Sequence, residues 1–365
     1  MSRADEQTVM HILTSLGFGG VERRMQTIGK YCKTAQMKHV FVSIGSGGET
    51  EKALRESGVE VICLNNSVRI PCFSAILLLI SCFRRYRPAA VHTHGSEANF
   101  HGLIAAWLAR VPVRVGEEIG IPSHSWKARQ VFRVVFFSAK YVICMSNAVA
   151  DWIIKNGEVP RSKALLIHNP VELPFSRKKQ RDPMPRFRIG FVGRLEEVKN
   201  PVVLIEMISR LNKTNRPAEL WIIGEGSQRT MLEEKAEAEG VTDQVIFKGY
   251  QKDPAHFIRQ CDLCVQPSLS EGFSQSLVEA MGCGLAVVVT ATGGAREVVE
   301  EGKTGWIVPS HDEKTLTDTV AAAYDIGSEE MFVMGQMARS SVENRFDPNQ
   351  YIRELEVLYL GTERK

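Results

Sequence analysis

Short apolar runs, separated by segments of helical period, recur along this 365-residue chain in two successive series, and no other feature limits its fold as tightly. The first series is "TVMHILT" (8–14), "KHVFVSI" (38–44), "VEVICL" (59–64), "AAVHTH" (89–94), "VRVGEE" (113–118) and "YVICMS" (141–146), with helical patterns such as 21–33 and 99–110 between them. The second is "RIGFVG" (188–193), "ELWIIG" (219–224), "QVIFKG" (244–249), "LCVQPS" (263–268), "LAVVVT" (285–290) and "GWIVP" (305–309). Strands that are apolar nearly throughout are buried on both faces, and their alternation with helices predicts parallel sheets covered on either side.

Length agrees with two such domains, since 365 residues exceed one ordinary core. "FSRKKQRDPMPRF", rich in proline and charge and without apolar period, is the natural linker. The predicted division is a first domain over 1–175, a linker over 176–186 and a second domain over 187–345. A C-terminal helix over 346–365, starting near Pro348 in "DPNQYIRELEVLYLG", is expected to pack back toward the first domain. The fold class is α/β, with two Rossmann-like doubly wound domains facing across a cleft, and ligands are expected outside the C-terminal ends of the strands.

A composition of 44% hydrophobic and 24% charged residues excludes a disordered or fibrous chain. The N-terminus lacks the basic-then-apolar order of a secretory signal, so a cytoplasmic protein is expected. Eight scattered cysteines, mostly inside apolar segments, read as reduced buried thiols, "CDLC" (261–264) included. The net charge of +3 is modest and gives no reason to expect nucleic acid, but positive charge clusters in "FRRYR" (83–87), "WKARQVFRVVFFSAK" (126–140) and "SRKKQR" (176–181). These runs read either as solvated helix faces or as a surface resting on anionic lipid at the inner face of a membrane. The apolar stretch from Ile70 to Phe83 is too short to span a bilayer and reads as a buried helix.

Three turns can carry chemistry. "LGFGGVERR" places Gly19 and Gly20 between a strand and a helix, where backbone N–H groups at the helix start suit a phosphate, although a simple tight turn fits too. Glu22 spoils the dinucleotide fingerprint. "FVGRLEEVKNP" puts Gly193, Arg194 and Lys199 after the first strand of the second domain. Two cations there can neutralise a diphosphate, though either alone reads as a solvated surface charge. In "PSLSEGFSQSLVEAMGCG" (267–284), Ser274 is a natural N-cap, Glu271 lies in the turn and Glu279 lies inside the helix. A carboxylate at Glu279 can hold a vicinal diol such as that of ribose; otherwise it is an exposed helix glutamate, and Glu271 a favourable charge near a helix start.

The last stretch, "PSLSEGFSQSLVEAMGCGLAVVVTATGGAREVV", resembles the signature of the retaining glycosyltransferases of family 4, of the GT-B fold, with its two glutamates spaced E-x7-E. "GFVGRLEEVKNP", "WIIGEGSQRTMLEE", "VIFKGY", "GWIVP" and, in the first domain, "GGVERR" are similar to that family as well. The resemblance implies that Glu271 contacts the transferred sugar, Glu279 the ribose, and Gly272, Phe273, Ser274, Gln275 and Leu277 the sugar and distal phosphate. It implies that Arg194 and Lys199 stabilise the leaving diphosphate with Gly193 close by. Gly19 and Gly20 would close on that diphosphate from the first domain, and Glu225 and Tyr250 would lie near the base. It further implies no divalent metal and no cofactor.

Departures are Ser274, where Gly or Pro is usual, and Glu117, Glu118 and Ile119, where the family often carries a histidine; His124 follows later. His94 ends the preceding strand and either faces the acceptor or is structural. Alternation puts it on one side with His92, without a third ligand for a metal. The implied activity is transfer of a sugar from a nucleotide diphosphate donor, uridine-linked, to a glycan or lipid-linked glycan in cell-surface polysaccharide or lipopolysaccharide biosynthesis. The rival expectations are a sugar-nucleotide epimerase of the same fold and a catalytically silent nucleotide-sugar-binding partner protein.

Overall fold

The computed structural model describes residues 7–17, 19–173 and 187–361. It divides into two compact units, Met1–Val171 with Phe346–Lys365, and Glu172–Arg345. The predicted linker and the basic run 176–181 lie outside the described residues.

The first unit carries strands β1 (Thr8–Leu13), β2 (Lys38–Ser43), β3 (Glu60–Cys63), β4 (Ala90–His94), β5 (Val113–Glu118), β6 (Tyr141–Cys144) and β7 (Ala164–Leu166). They form one sheet in the order β3-β2-β1-β4-β5-β6-β7, parallel throughout. Strand β7 was not expected, because three partly exposed residues at a sheet edge are too short to show a period. The second unit carries β8 (Phe187–Val192), β9 (Ala218–Ile223), β10 (Val245–Gly249), β11 (Leu263–Gln266), β12 (Ala286–Thr290) and β13 (Gly305–Val308), again parallel, in the order β10-β9-β8-β11-β12-β13. Each order reverses direction once, between β1 and β4 and between β8 and β11. A crevice opens at such a reversal, because the connections on its two sides run to opposite faces.

Side chains alternate across each sheet. On one face of the first sheet, Val9, Leu13, Phe41 and Val115 pack with Met25 and Ile28 of the helix Gly20–Tyr31. Tyr351, Ile352, Leu355 and Leu358 of the helix Pro348–Tyr359 complete that layer. Asp347 caps this last helix by accepting from the Asn349 N–H at 2.7 Å, with proline at its start, where a missing N–H costs nothing. Glu356 accepts from the Met37 N–H at 2.8 Å, which further fixes the helix to the first unit.

The opposite face is covered by helices Phe73–Tyr86, Ser96–Leu108 and Trp126–Phe137, the middle one packed against both others. The first of these corrects an expectation: it is only half buried. Leu79 and Phe83 enter the core, whereas Phe73 and Leu77 are 74% and 66% exposed. A 3.6-residue period cannot bury every side of a helix lying on a sheet, so an apolar run longer than a strand leaves an uncovered stripe. Trp107, Trp126, Val134 and Phe137 add to the same exposed layer, Phe137 at 83%. Each forgoes burial worth about 1.5–3 kcal/mol. Arg84, Arg85, Arg110, Lys127, Arg133 and Lys140 are exposed among them. No described helix is long and apolar enough to cross a membrane.

All eight cysteines are free; Cys63 and Cys72 are partly exposed and the other six buried, Cys261 and Cys264 among them.

Candidate active site

In the second unit the structure brings together the loops that leave β8 and β11, on either side of its strand-order reversal. After β8 the chain passes Gly193 and the exposed Arg194 into a short 3-10 turn, Glu197–Lys199, closed by Asn200 in the left-handed region. After β11 it runs through Ser268 and Glu271 to the helix Gln275–Gly282. The Leu269 N–H donates to the Val198 carbonyl at 2.9 Å, tying the two loops together. The Lys199 ammonium meets the Glu271 carboxylate in an ion pair whose side chains are 16% and 17% exposed. Ser268 Oγ also donates to Glu271, at 3.4 Å.

The turn holding Glu271 has a specific backbone requirement. Gly293 has φ +51°, and a Cβ there would stand 2.2 Å from the Glu271 carbonyl oxygen and 2.6 Å from that of Gly272. Only glycine fits so close a backbone approach, which the Gly294 N–H completes by donating to the Gly272 carbonyl at 3.1 Å. Ser274 caps the following helix through its hydroxyl, 3.3 Å from the Leu277 N–H. The N–H groups of the first helical turn therefore stand at the C-terminal edge of β11, a setting that favours an anion.

Phe273 and Leu277 are buried, Gly272 is buried, and Gln275 is half-buried. Glu279 is 7% exposed, so it is not a surface helix glutamate. The adjoining loop after β9 is locked to the first by the Leu195 N–H, which donates to the Glu225 carbonyl at 2.9 Å. Gly224 sits so near Gly193 that a Cβ would lie 1.9 Å from its carbonyl. The Glu225 side chain accepts from Arg229 at 3.2 Å, and Tyr250 is 54% exposed.

In the first unit Gly19 precedes the helix Gly20–Tyr31 beyond β1, and His94 ends β4, again on the two sides of a strand-order reversal. The surroundings of His94 correct the expectation that it faces an acceptor, since its side chain has no exposed surface. Its Nδ1 is hydrogen-bonded to the Glu117 carboxylate and its Nε2 lies 3.1 Å from His11 Nδ1. His11 Nε2 continues the chain to His39 Nδ1 at 2.9 Å. Arg24 holds Glu117 with two 2.5 Å hydrogen bonds and donates to Asn169 at 2.6 Å. His92 Nδ1 is 2.6 Å from the Tyr359 hydroxyl, so the C-terminal helix joins the network.

Burial opposes charge on Glu117, yet Arg24, His94 and His92 together hold its carboxyl well below the ordinary carboxylate range. Burial, reinforced by the neighbouring histidines, keeps His11 well below 6.5, and His39 falls to about 4 by burial alone. The histidines and the Arg24–Glu117 ion pair make this a buried polar network, in which Arg24 Nε, His39 Nε2 and His92 Nε2 are left without a hydrogen-bond partner.

His11 also corrects the expectation that His92 and His94 lack a third neighbour, because donor atoms of all three lie within 4.8 Å of one another. Both nitrogens of His11 and of His94 are already hydrogen-bonded, however.

The period of two sends Glu118 to the other face from Glu117. There Asn99 Nδ2 donates to Glu118 Oε1 at 3.0 Å and to the Glu117 carbonyl at 2.9 Å. Burial and the nearby Glu158 raise the Glu118 carboxyl to about 8. Glu158 in turn accepts from His124 Nδ1 at 2.9 Å. Arg24, His11, His39, Asn99 and Glu158 were not anticipated. Their signal was available: an ionisable residue inside an apolar strand, such as His11 in "VMHIL" or the pair ending "VRVGEE", must find partners in the core.

Comparison with known proteins agrees with this geometry. The model of glycosyl transferases group 1 matches residues 174–340, and that of Glycosyltransferase Family 4 matches residues 18–174. The chain is 24% identical over 85% of its length to the UDP-Gal:alpha-D-GlcNAc-diphosphoundecaprenol alpha-1,3-galactosyltransferase of Escherichia coli, of which 84% is covered. It is 23% identical to the capsular polysaccharide biosynthesis glycosyltransferase CapM of Staphylococcus aureus, with 97% of each chain covered. Among solved structures, Anabaena Alr3699/HepE in complex with UDP superposes with a TM-score of 0.84 at 19% identity, over 97% of this chain and 100% of that one. The two matched segments adjoin and both describe glycosyltransferases, so the chain belongs to the family 4 glycosyltransferases of the GT-B fold.

Proposed function

We propose that the protein is a retaining, metal-independent hexosyltransferase that moves a sugar from a uridine diphosphate donor to a lipid-linked glycan in cell-surface polysaccharide biosynthesis. The observation that carries this reading is the Lys199–Glu271 pair, with the exposed Arg194 in the same loop as Lys199 and a capped helix start after Glu271, all at the strand-order reversal of the second sheet. As the bond to the anomeric carbon breaks, negative charge gathers on the leaving diphosphate. Donors aimed there stabilise the transition state more than the ground state. Arg194, Lys199 and the first-turn N–H groups supply that charge complement from the protein itself, which supports a reaction without a divalent ion.

In this reading Glu271 leaves part of its hold on Lys199 to bind hydroxyls of the transferred sugar, and Glu279 accepts from the ribose diol. Gly193, Gly272, Phe273, Ser274, Gln275 and Leu277 shape the phosphate and sugar pocket, with Glu225 and Tyr250 toward the base. Gly19 and Gly20 offer backbone N–H groups to the diphosphate. His94 acts indirectly at most, by fixing the strand end behind Gly95. Neither glutamate is assigned as a nucleophile, and front-face attack, with the leaving phosphate taking the acceptor proton, suits a site built of cations.

The UDP complex of the Anabaena neighbour supports a uridine donor, and the names of the Escherichia coli and Staphylococcus aureus relatives support a lipid-linked or capsular acceptor. The exposed apolar layer over Phe73–Phe137, ringed by arginine and lysine, supports peripheral contact with an anionic membrane, where such an acceptor resides.

The test is to incubate the purified chain with a panel of nucleotide sugars and a bacterial membrane extract, and to measure nucleotide diphosphate release and labelled lipid. Transfer from a uridine donor with retained configuration, undiminished by EDTA, is expected, and Glu271→Ala and Arg194→Ala should abolish it. Binding without release would overturn the reading.

A further inference from the structure

We infer that His124, oriented by Glu158, binds a hydroxyl group of the glycan acceptor through its Nε2 atom; the inference rests on the transferase reading above. The place is right for a ligand. His124 lies in the segment that follows β5, and Ser96 is the first residue beyond the Gly95 turn after β4, both at the C-terminal edge of the first sheet.

The ring is held in one orientation. It stacks on Phe132 with centroids 4.3 Å apart and planes within 4°, and Trp152 meets it edge-on at 6.1 Å. Nδ1 lies 2.9 Å from Glu158 Oε1, and the Glu158 side chain has no exposed surface. A carboxylate accepts and cannot donate, so the ring proton sits on Nδ1 and Nε2 presents its lone pair.

That lone pair has only a weak occupant. Ser96 Oγ stands 3.4 Å from Nε2, at the long limit of a hydrogen bond, whereas the ring's other contacts are close. The His124 side chain keeps 12% of its surface in water, whereas that of Glu158 keeps none. Glu158 Oε2 is buried without a hydrogen-bond partner, a cost that a purely structural anchor would not need to carry.

Glu118, the second buried carboxyl on this side, is raised to about 8 by burial and by Glu158. An acceptor hydroxyl arriving at this edge would replace Ser96, donate to Nε2, and be aligned by a ring that cannot turn.

The experiment measures transfer by the full chain from its best uridine donor to α-D-GlcNAc-diphosphoundecaprenol and to extracted bacterial lipids, with KM determined separately for donor and acceptor. His124→Ala should raise the acceptor KM about tenfold or more, the loss of one well-placed hydrogen bond, while the donor KM stays within about twofold. His124→Gln, whose amide oxygen still accepts, should recover part of the loss.

Glu158→Gln carries the test if His124→Ala does not fold. Its amide can either accept from Nδ1–H or donate to Nδ1, so the ring proton is no longer fixed on Nδ1 and the acceptor KM should rise, by less than in His124→Ala. An acceptor KM within twofold of wild type in His124→Ala overturns the inference. So does a parallel rise of both KM values with a lowered Tm, which marks a loop anchor. Wild-type chain that transfers to neither acceptor overturns the transferase reading itself.

Discussion

The two units place their charged groups at equivalent points of equivalent sheets and treat them in opposite ways. In the second, Lys199 and Glu271 meet on loops and keep about a sixth of their surface in water, and Arg194, earlier in the loop that carries Lys199, is exposed. In the first, Arg24, Glu117 and His94 meet on a helix and two strands and keep essentially none. A partly hydrated ion pair can exchange its partner for a ligand at modest cost. A buried pair cannot, because separating it strands a charge in low dielectric. The same topology thus gives a partly hydrated charge pair in one unit and a buried one in the other, and the distinction lies in which element carries each side chain.

Substitutions can break this contrast, beginning with the largest effect. Lys199→Ala should lower the transfer rate by about 10²–10³, the usual loss for one donor aimed at developing charge, with the Tm within about 2 °C of wild type. A comparable loss of stability would mean that the pair is structural after all.

In the first unit the outcome should reverse. Arg24→Leu leaves Glu117 buried without its cation and should cost about 3–5 kcal/mol, read as a lower urea midpoint, while binding of UDP by the second unit persists. Acid sharpens the same point. The folded-state values of His11, His39, His92 and His94 lie below 6.5, so the unfolded chain binds more protons as pH drops under that value. Stability should fall from about pH 6.5 toward 4, and His39→Phe should flatten part of that slope.

A smaller effect tests the other face of the first sheet. Glu118 has its folded value raised to about 8, so its stabilising protonated form is present below the unfolded value near 4.5 and is lost as pH rises through 8. Glu118→Gln, which can still accept from Asn99, should raise Tm at pH 8.5 by more than at pH 5. Smallest on catalysis is the exposed apolar layer. Phe137→Ser with Arg133→Glu should halve or better the flotation with phosphatidylglycerol vesicles, while leaving the rate on a detergent-solubilised acceptor close to wild type.

The strands and both strand series were legible because burial on two faces writes itself into composition. The edge strand β7 was not, being three residues that pair on one side only. The Glu271 turn and the Ser274 cap were legible as local chemistry, needing no partner far along the chain. The network around His94 was not, because its partners Arg24, His11, Asn169 and Tyr359 are brought together only by tertiary packing. The helix Phe73–Tyr86 was misread for a related reason. An apolar sequence states what a segment avoids, and only the assembled layer states which side of it is covered.

The C-terminal helix has a consequence for synthesis. Its residues are made after the second unit, yet Tyr351, Leu355 and Tyr359 belong to the core of the unit begun before it. That core cannot close on the His92 side until the second unit has been translated. The nascent chain must therefore keep Phe41, Met25 and the buried histidines waiting beneath an open face while some 170 residues are made. Truncation before Pro348 should then produce a chain whose second half folds and whose first half is recruited by chaperones or aggregates.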